Sequence, residues 1–166
     1  MQEFAKKAWD WLEHLLYVIV VRVLHLSVLE KNWTGFMQFV KFGVIGLSNT
    51  LLSYILNVIV LLILAPFSVS WDFFAGNIVG FVLSVLWSFY WNNRFVFTVK
   101  EGEHRSVWKA LLKTYLSYGF TGIILNNVLS WVWITQLGIS KFIAPGINLL
   151  FSVPINFIMN KLWAFK

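Results

Sequence analysis

Four stretches of the chain, roughly Phe42 to Leu64, Phe73 to Trp91, Leu116 to Thr135 and Phe142 to Met159, contain no charged residue. Crossing a hydrocarbon core of about 30 Å takes about 20 apolar residues in a helix. Each stretch is therefore read as a span, and the expected fold class is an all-α membrane protein with four transmembrane helices. Composition points the same way. Apolar residues make up 59% of the chain and charged ones 12%, about half the roughly 25% charged content of a soluble domain. A water-soluble fold of 166 residues could not hide that apolar surface. The ten Trp, five Tyr and sixteen Phe suit headgroup depth, where amphipathic rings fit best. The chain has no Cys, which removes a disulfide framework and a thiolate metal site. His14, His25 and His104 have no metal-ligand spacing to one another or to acids, so no metal and no cofactor is expected.

The formal charge of +6 is not read as a nucleic-acid signal, because the cations flank the apolar runs and so first report topology. Lys6, Lys7, Arg22, Lys31 and Lys41 precede the first run. Arg94, Lys100, Arg105, Lys109 and Lys113 lie between the second and third, and Lys161 and Lys166 close the chain. Lys141 alone lies in a turn on the other side. The positive-inside rule then places both termini and the middle loop in the cytoplasm and the two tight turns outside an inner, or plasma, membrane. Residues 1–35 read differently. Glu13, Arg22 and His25 interrupt the apolar stretch from Trp11 to Leu26, and Lys7, Asp10, His14 and Tyr17 share helical spacing. An amphipathic helix lying in the cytoplasmic interface is expected there. A fifth span is the alternative, and it would bury Arg22 and put the amino terminus outside. Residues 36–166 form the second expected domain.

The two halves of that domain repeat one another. Phe42-Gly43-Val44-Ile45-Gly46 answers Tyr118-Gly119-Phe120-Thr121-Gly122, with Phe39 and Tyr115 preceding at the same offset. Ser84, Ser88, Phe89, Asn92, Phe95 and Phe97 answer Ser152, Asn156, Phe157, Asn160, Trp163 and Phe165 at identical internal spacings. Each half is a helical hairpin. A unit of two spans returns to its starting side, so the hairpins share one orientation about a pseudo-two-fold axis near the membrane normal.

No carboxylate, Lys, Arg or His lies inside a span, which removes the usual proton or ion relay. No nucleophile, base and orienting group can be assembled there either, so the chain is not expected to be an enzyme. The polar content of the spans is neutral and striped. Asn148, Ser152, Asn156 and Asn160 recur every four residues on one face of the fourth helix. Asn49, Ser53 and Asn57 do so on the first, Gly76, Asn77, Gly80, Ser84, Ser88 and Asn92 mark the second, and Thr121, Asn126, Asn127 and Ser130 the third. Such stripes can be packing seams, and Gly76 and Gly80 have helix-dimerisation spacing. They also suit a groove visited by hydroxyls, since each amide offers two donors and an acceptor. The cations at the cytoplasmic helix ends, Lys41, Arg94, Lys113 and Lys161, anchor helices to headgroups or form a phosphate cradle. Arg94 and Lys161 stand just beyond the matched Asn92 and Asn160.

These features resemble the GtrA-like family of membrane proteins over about Phe36 to Phe165. The likeness rests on Phe39-Val40-Lys41-Phe42-Gly43-Val44-Ile45-Gly46 with Asn49, and on Asn92-Asn93-Arg94-Phe95-Val96-Phe97. The resemblance implies flipping of a polyprenyl-phosphate-linked monosaccharide, typically undecaprenyl-phosphate glucose, to the outer leaflet for cell-surface polysaccharide or teichoic acid glycosylation. It implies a polyprenyl-phosphate glycosyltransferase as partner, with membrane lipids around the chain. Under that reading Arg94, Lys161, Lys41 and Lys113 collect the phosphate, and Asn49, Asn77, Asn92, Asn126, Asn148, Asn156 and Asn160 line the sugar path. Pro145 and Pro154 would let the fourth helix bend. A homodimer with Gly76 and Gly80 at its seam would enlarge the interior. The alternative is a non-transporting accessory subunit that stabilises or recruits a membrane glycosyltransferase.

Overall fold

A computed structural model describes residues 2–69, 72–99, 102, 104–140 and 143–166, and no strand occurs among them. The chain divides into two compact units, Met1–Val40 and Lys41–Lys166. In the first, helix α1 spans Gln2–Tyr17 and continues as a π-helical stretch, Val18–Val23. The helical path breaks at His25, whose φ is +52°, and resumes as α2, Ser27–Lys31. The helix expected within residues 1–35 is thus interrupted at a left-handed residue rather than continuous. Within this unit Trp33 Nε1 donates to Glu13 at 3.1 Å and the Tyr17 hydroxyl donates to Glu30 at 2.9 Å. The Glu30 carboxylate, accepting that proton, raises the Tyr17 pKa.

Helix α3 covers Trp33–Leu64 and ends in a 3-10 turn, Ala65–Phe67, with Ser68 left-handed at φ +50°. Helix α4 covers Asp72–Phe95. Helix α5, Val107–Gly119, runs on through a π stretch (Phe120–Leu125), α6 (Asn126–Trp131) and a second π stretch (Val132–Gln136). Helix α7, Ala144–Met159, continues as the π stretch Asn160–Ala164. Lys100, Lys141 and Phe142 lie outside the described residues. The helices overrun the charge-free runs because hydropathy marks only what tolerates lipid, whereas helix ends are set by capping. Ser106 accepts the Lys109 amide at 3.4 Å and starts α5 well before Leu116. Pro145 occupies the first turn of α7, where a missing N–H costs nothing, and Pro154 lies inside the helix, where it removes a ladder bond.

Packing is inverted relative to a water-soluble bundle. Among the described residues ten polar side chains are buried, all uncharged, including Ser84, Ser88, Asn92, Thr114, Ser117 and Asn160. Large aliphatic side chains such as Leu47, Leu62, Ile63, Ile123 and Leu150 face outward. Water would penalise that arrangement, and lipid removes the penalty while leaving small and amide residues to hold helices together. Among the described residues, two helical stretches, Trp33–Phe67 and Phe74–Phe95, are long and apolar enough to cross a membrane.

Gly76 and Gly80 hold α4 against α3 of the same chain. A Cβ on Gly80 would lie 2.8 Å from the Ser53 carbonyl oxygen, and one on Gly76 would lie 2.8 Å from Asn57 Nδ2. These glycines are consumed inside the chain, which corrects their assignment to a dimer seam. The physical reason is that a GxxxG face serves any close helix neighbour, and the hairpin partner is the nearest.

The repeat is visible in the backbone. The Asn92 carbonyl accepts Phe97 N at 2.8 Å and the Asn160 carbonyl accepts Phe165 N at 2.9 Å, so both halves close with the same wide i+5 turn. Phe97 and Phe165 then stack with centroids 4.7 Å apart.

Candidate functional site

Two adjoining clefts open among the helices of the second unit. The larger, about 460 Å³, is bordered by Phe42, Gly43, Gly46 and Leu47 of α3, by Tyr118, Thr121, Gly122 and Asn126 of the third helical path, and by Leu149, Ser152, Val153 and Asn156 of α7. The second, about 440 Å³, runs between α3 and α4 past Ser53, Asn57, Asn77 and Ser84. Asn49, Thr50 and Tyr118 line both. None of the described lining residues of either cleft is Asp, Glu, His, Lys or Arg.

Four of the seven expected groove residues line these clefts: Asn49, Asn77, Asn126 and Asn156. The Oδ1 atoms of Asn49 and Asn126 are buried without a hydrogen-bond partner among the described residues. Asn77 accepts from Asn57 Nδ2 at 2.9 Å, and Asn156 accepts from Asn160 Nδ2 at 3.1 Å. Asn148 is not among the lining residues. It accepts from Trp133 Nε1 at 3.0 Å and donates to Ser130 Oγ at 2.8 Å and to the Asn126 carbonyl at 3.1 Å. Those three bonds make it a seam between α6 and α7. Asn92 and Asn160 also lie outside the two linings, each with no exposed surface. Asn92 Nδ2 donates to Ser88 Oγ at 3.0 Å, and Asn160 Nδ2 donates to the Asn156 carbonyl at 2.8 Å.

Of the four cations, Arg94 and Lys161 are exposed and Lys41 and Lys113 half-buried. Lys113 Nζ donates to the Trp163 carbonyl at 2.9 Å, and Lys161 Nζ stands 5.4 Å from the Phe157 ring centroid. An ammonium carries three donors, so Lys113 keeps two beyond that bond.

Sequence reasoning missed two residues. Tyr118 stands where the first half has Phe42, and its hydroxyl lies 2.8 Å from Ser88 Oγ. An aromatic position that differs between the halves only by a hydroxyl was the available signal. Arg105 was counted only as a loop cation. Its guanidinium donates to the Phe97 and Phe165 carbonyls, each at 2.8 Å, and to Asn93 Oδ1, with the Phe165 ring centroid 4.9 Å away. One side chain thereby ties together the matched ends of both repeats. Partial desolvation lowers its pKa. Nothing in a linear sequence distinguishes it from Lys100 or Lys109.

Residues 41–165 match the family described as GtrA/DPMS, transmembrane domain. A dolichol-phosphate mannosyltransferase of Pyrococcus furiosus is 26% identical over 138 residues, which cover 82% of this chain and 36% of that protein. The chain thus matches about a third of the length of that relative.

Proposed function

We propose, from the premise that this chain belongs to the GtrA/DPMS transmembrane-domain family, that it carries a polyprenyl-phosphate-linked monosaccharide, such as undecaprenyl-phosphate glucose, from the cytoplasmic to the outer leaflet. One observation carries the reading: neutral amide and hydroxyl side chains from three helical paths border a shared cleft that contains no charge among its described lining residues. The relative's name, dolichol-phosphate mannosyltransferase, supports a polyprenyl-phosphate sugar as the chemical class. The magnitude of the problem explains the design. A hydroxyl taken into hydrocarbon without a partner costs about 4–8 kcal/mol, so four hydroxyls on one hexose raise a barrier of roughly 16–32 kcal/mol. A path of amides and hydroxyls replaces the lost water at each step, while the prenyl chain stays in lipid throughout.

In this reading four helices span the membrane as two hairpins with both termini cytoplasmic, and α1 lies at the interface. Arg94 and Lys161, with Lys41 and Lys113, receive the phosphate at the inner face, because ammonium and guanidinium groups donate to phosphate oxygens. The sugar moves along Asn49, Asn77, Asn126 and Asn156. The chain catalyses no reaction itself, and a polyprenyl-phosphate glycosyltransferase supplies its lipid substrate. The product serves cell-surface polysaccharide or teichoic acid glycosylation.

A second reading, an accessory subunit for a membrane glycosyltransferase, is favoured by one fact: the matched region is 36% of a relative named as a transferase. Reconstitution of the purified chain into liposomes with fluorescently labelled polyprenyl-phosphate glucose separates the two. Transport predicts that the label becomes accessible to a membrane-impermeant reagent on the far side. Movement no faster than in protein-free liposomes, together with increased output of a co-reconstituted transferase, refutes transport and supports the subunit.

A further inference from the structure

The glycines of unit two fall into two classes. Gly76 and Gly80 have no room for a Cβ, whereas a Cβ on Gly43, Gly46, Gly119 or Gly122 would meet nothing within 4 Å. Gly102, Gly138 and Gly146 are open as well, but Gly43, Gly46, Gly119 and Gly122 are the open pair that repeats in both halves, and packing between helices does not account for it. Three of these four, Gly43, Gly46 and Gly122, border the larger cleft. That cleft also takes quasi-equivalent residues from both halves: Phe42 with Tyr118, Gly46 with Gly122, and Thr50 with Asn126 one turn further on. It therefore straddles the boundary between the repeats.

A second, independent observation concerns the polar atoms there. The Oδ1 atoms of Asn49 and Asn126 are buried and unpaired among the described residues. Ser152, only 8% exposed, borders the same cleft. Thr114, Ser117 and Thr121 behave in the ordinary way, each donating to a carbonyl one turn earlier at 2.9–3.0 Å. A buried acceptor left unpaired is costly, and two such groups collect in one cleft. Both are amide oxygens, which demand O–H or N–H donors. With no cation among the described lining residues, the cleft offers nothing to compensate a phosphate.

We infer that the bare helix faces at Gly43, Gly46 and Gly122 are clearance for a neutral, hydroxyl-bearing sugar ring, seated between the repeats with its hydroxyls donating to Asn49 and Asn126 and engaging Ser152. Glycine lets a ligand approach helix backbone more closely than any other residue. The apolar C–H face of the ring lies against those backbones and Phe42. The site names the part of the lipid that this cleft reads, and for the identity of that lipid it rests on the translocation reading.

The test measures binding in detergent by native mass spectrometry, using short-chain prenyl-phosphate glucose and the same prenyl phosphate without sugar. The wild-type protein should bind the glucosylated probe at least tenfold more tightly. The double variant Gly46→Ala/Gly122→Ala should bind the two probes alike while its thermal midpoint holds or rises. Ser152→Ala, which adds no volume, should weaken only the glucosylated probe, by about threefold or more. Equal binding of both probes by the wild-type chain, or no binding, overturns the site. So does a fall in thermal midpoint for Gly46→Ala/Gly122→Ala as large as that for Gly80→Ala, since the bare glycines would then be packing residues. Sugar-selective binding without transbilayer movement in liposomes upholds the site and refutes translocation. Movement with no preference between the two lipids does the reverse.

Discussion

Replacing Arg105 should loosen the joint between the two repeats. Its guanidinium satisfies the Phe97 and Phe165 carbonyls at 2.8 Å each and lies 4.9 Å from the centre of the Phe165 ring. A hydrogen bond to a charged group contributes about 1.5–3 kcal/mol when buried. Arg105 is only half-buried, so water replaces part of each bond and about 1 kcal/mol apiece is the appropriate figure. The guanidinium–ring contact adds about 0.5–1 kcal/mol. Arg105→Ala should therefore cost about 2–3 kcal/mol, and for a chain of this length that is a fall in thermal midpoint of about 4–12 °C. Arg105→Lys is the decisive companion. It keeps the loop charge that sets topology, but a single ammonium lacks the planar fork that reaches two carbonyls and an amide oxygen together, so it should recover less than half of the loss. Tryptophan fluorescence during a thermal ramp in detergent reads both variants. If Arg105→Lys melts with the wild type, the residue acts through charge alone and the clamp is refuted. If Arg105→Ala also melts with the wild type, the contacts carry no stability.

Gly80→Ala should cost about 1–2 kcal/mol in the same ramp, because the new methyl meets the Ser53 carbonyl at 2.8 Å and overpacking outweighs the gain in helix propensity. An unshifted midpoint would show that the α3–α4 hairpin yields freely there. Asn148→Ala should destabilise by about 1–2 kcal/mol, the usual scale for side-chain hydrogen bonds within membranes, and leave sugar-lipid movement per folded molecule unchanged. A selective loss of movement would instead put Asn148 on the sugar path. Arg94→Ala should abolish accumulation of outer-leaflet sugar lipid with the protein still present in the membrane. Undiminished accumulation removes Arg94 from the phosphate cradle.

Much of the architecture was legible because hydropathy and period are local properties. Charge-free runs long enough to span lipid located the helices of unit two, and the matched Ser–Asn–Phe registers revealed a repeat that the structure expresses as paired wide turns at Asn92 and Asn160. Helix ends were less legible, since a cap such as Ser106 acts through one backbone contact that hydropathy does not register. The polar stripes announced that amides and hydroxyls would face other helices. They did not announce which would be saturated. Asn148 and Asn126 lie at similar depth in sequence terms, yet Asn148 closes a seam with three bonds and Asn126 leaves a carbonyl oxygen unpaired beside a cleft. That difference depends on which neighbours the fold delivers.

By itself, then, the order of residues determined that this chain is helical, that its apolar faces look outward and that its two halves repeat, because each follows from side-chain chemistry at fixed intervals along one helix. Tertiary structure alone decided that Gly76 and Gly80 press helices together while Gly43, Gly46 and Gly122 leave space, and that Arg105 rather than its neighbours binds both repeat ends. A glycine is the same absence of a side chain everywhere, and a cation the same charge. What either does is set by the atoms that stand opposite, and those arrive from distant parts of the chain.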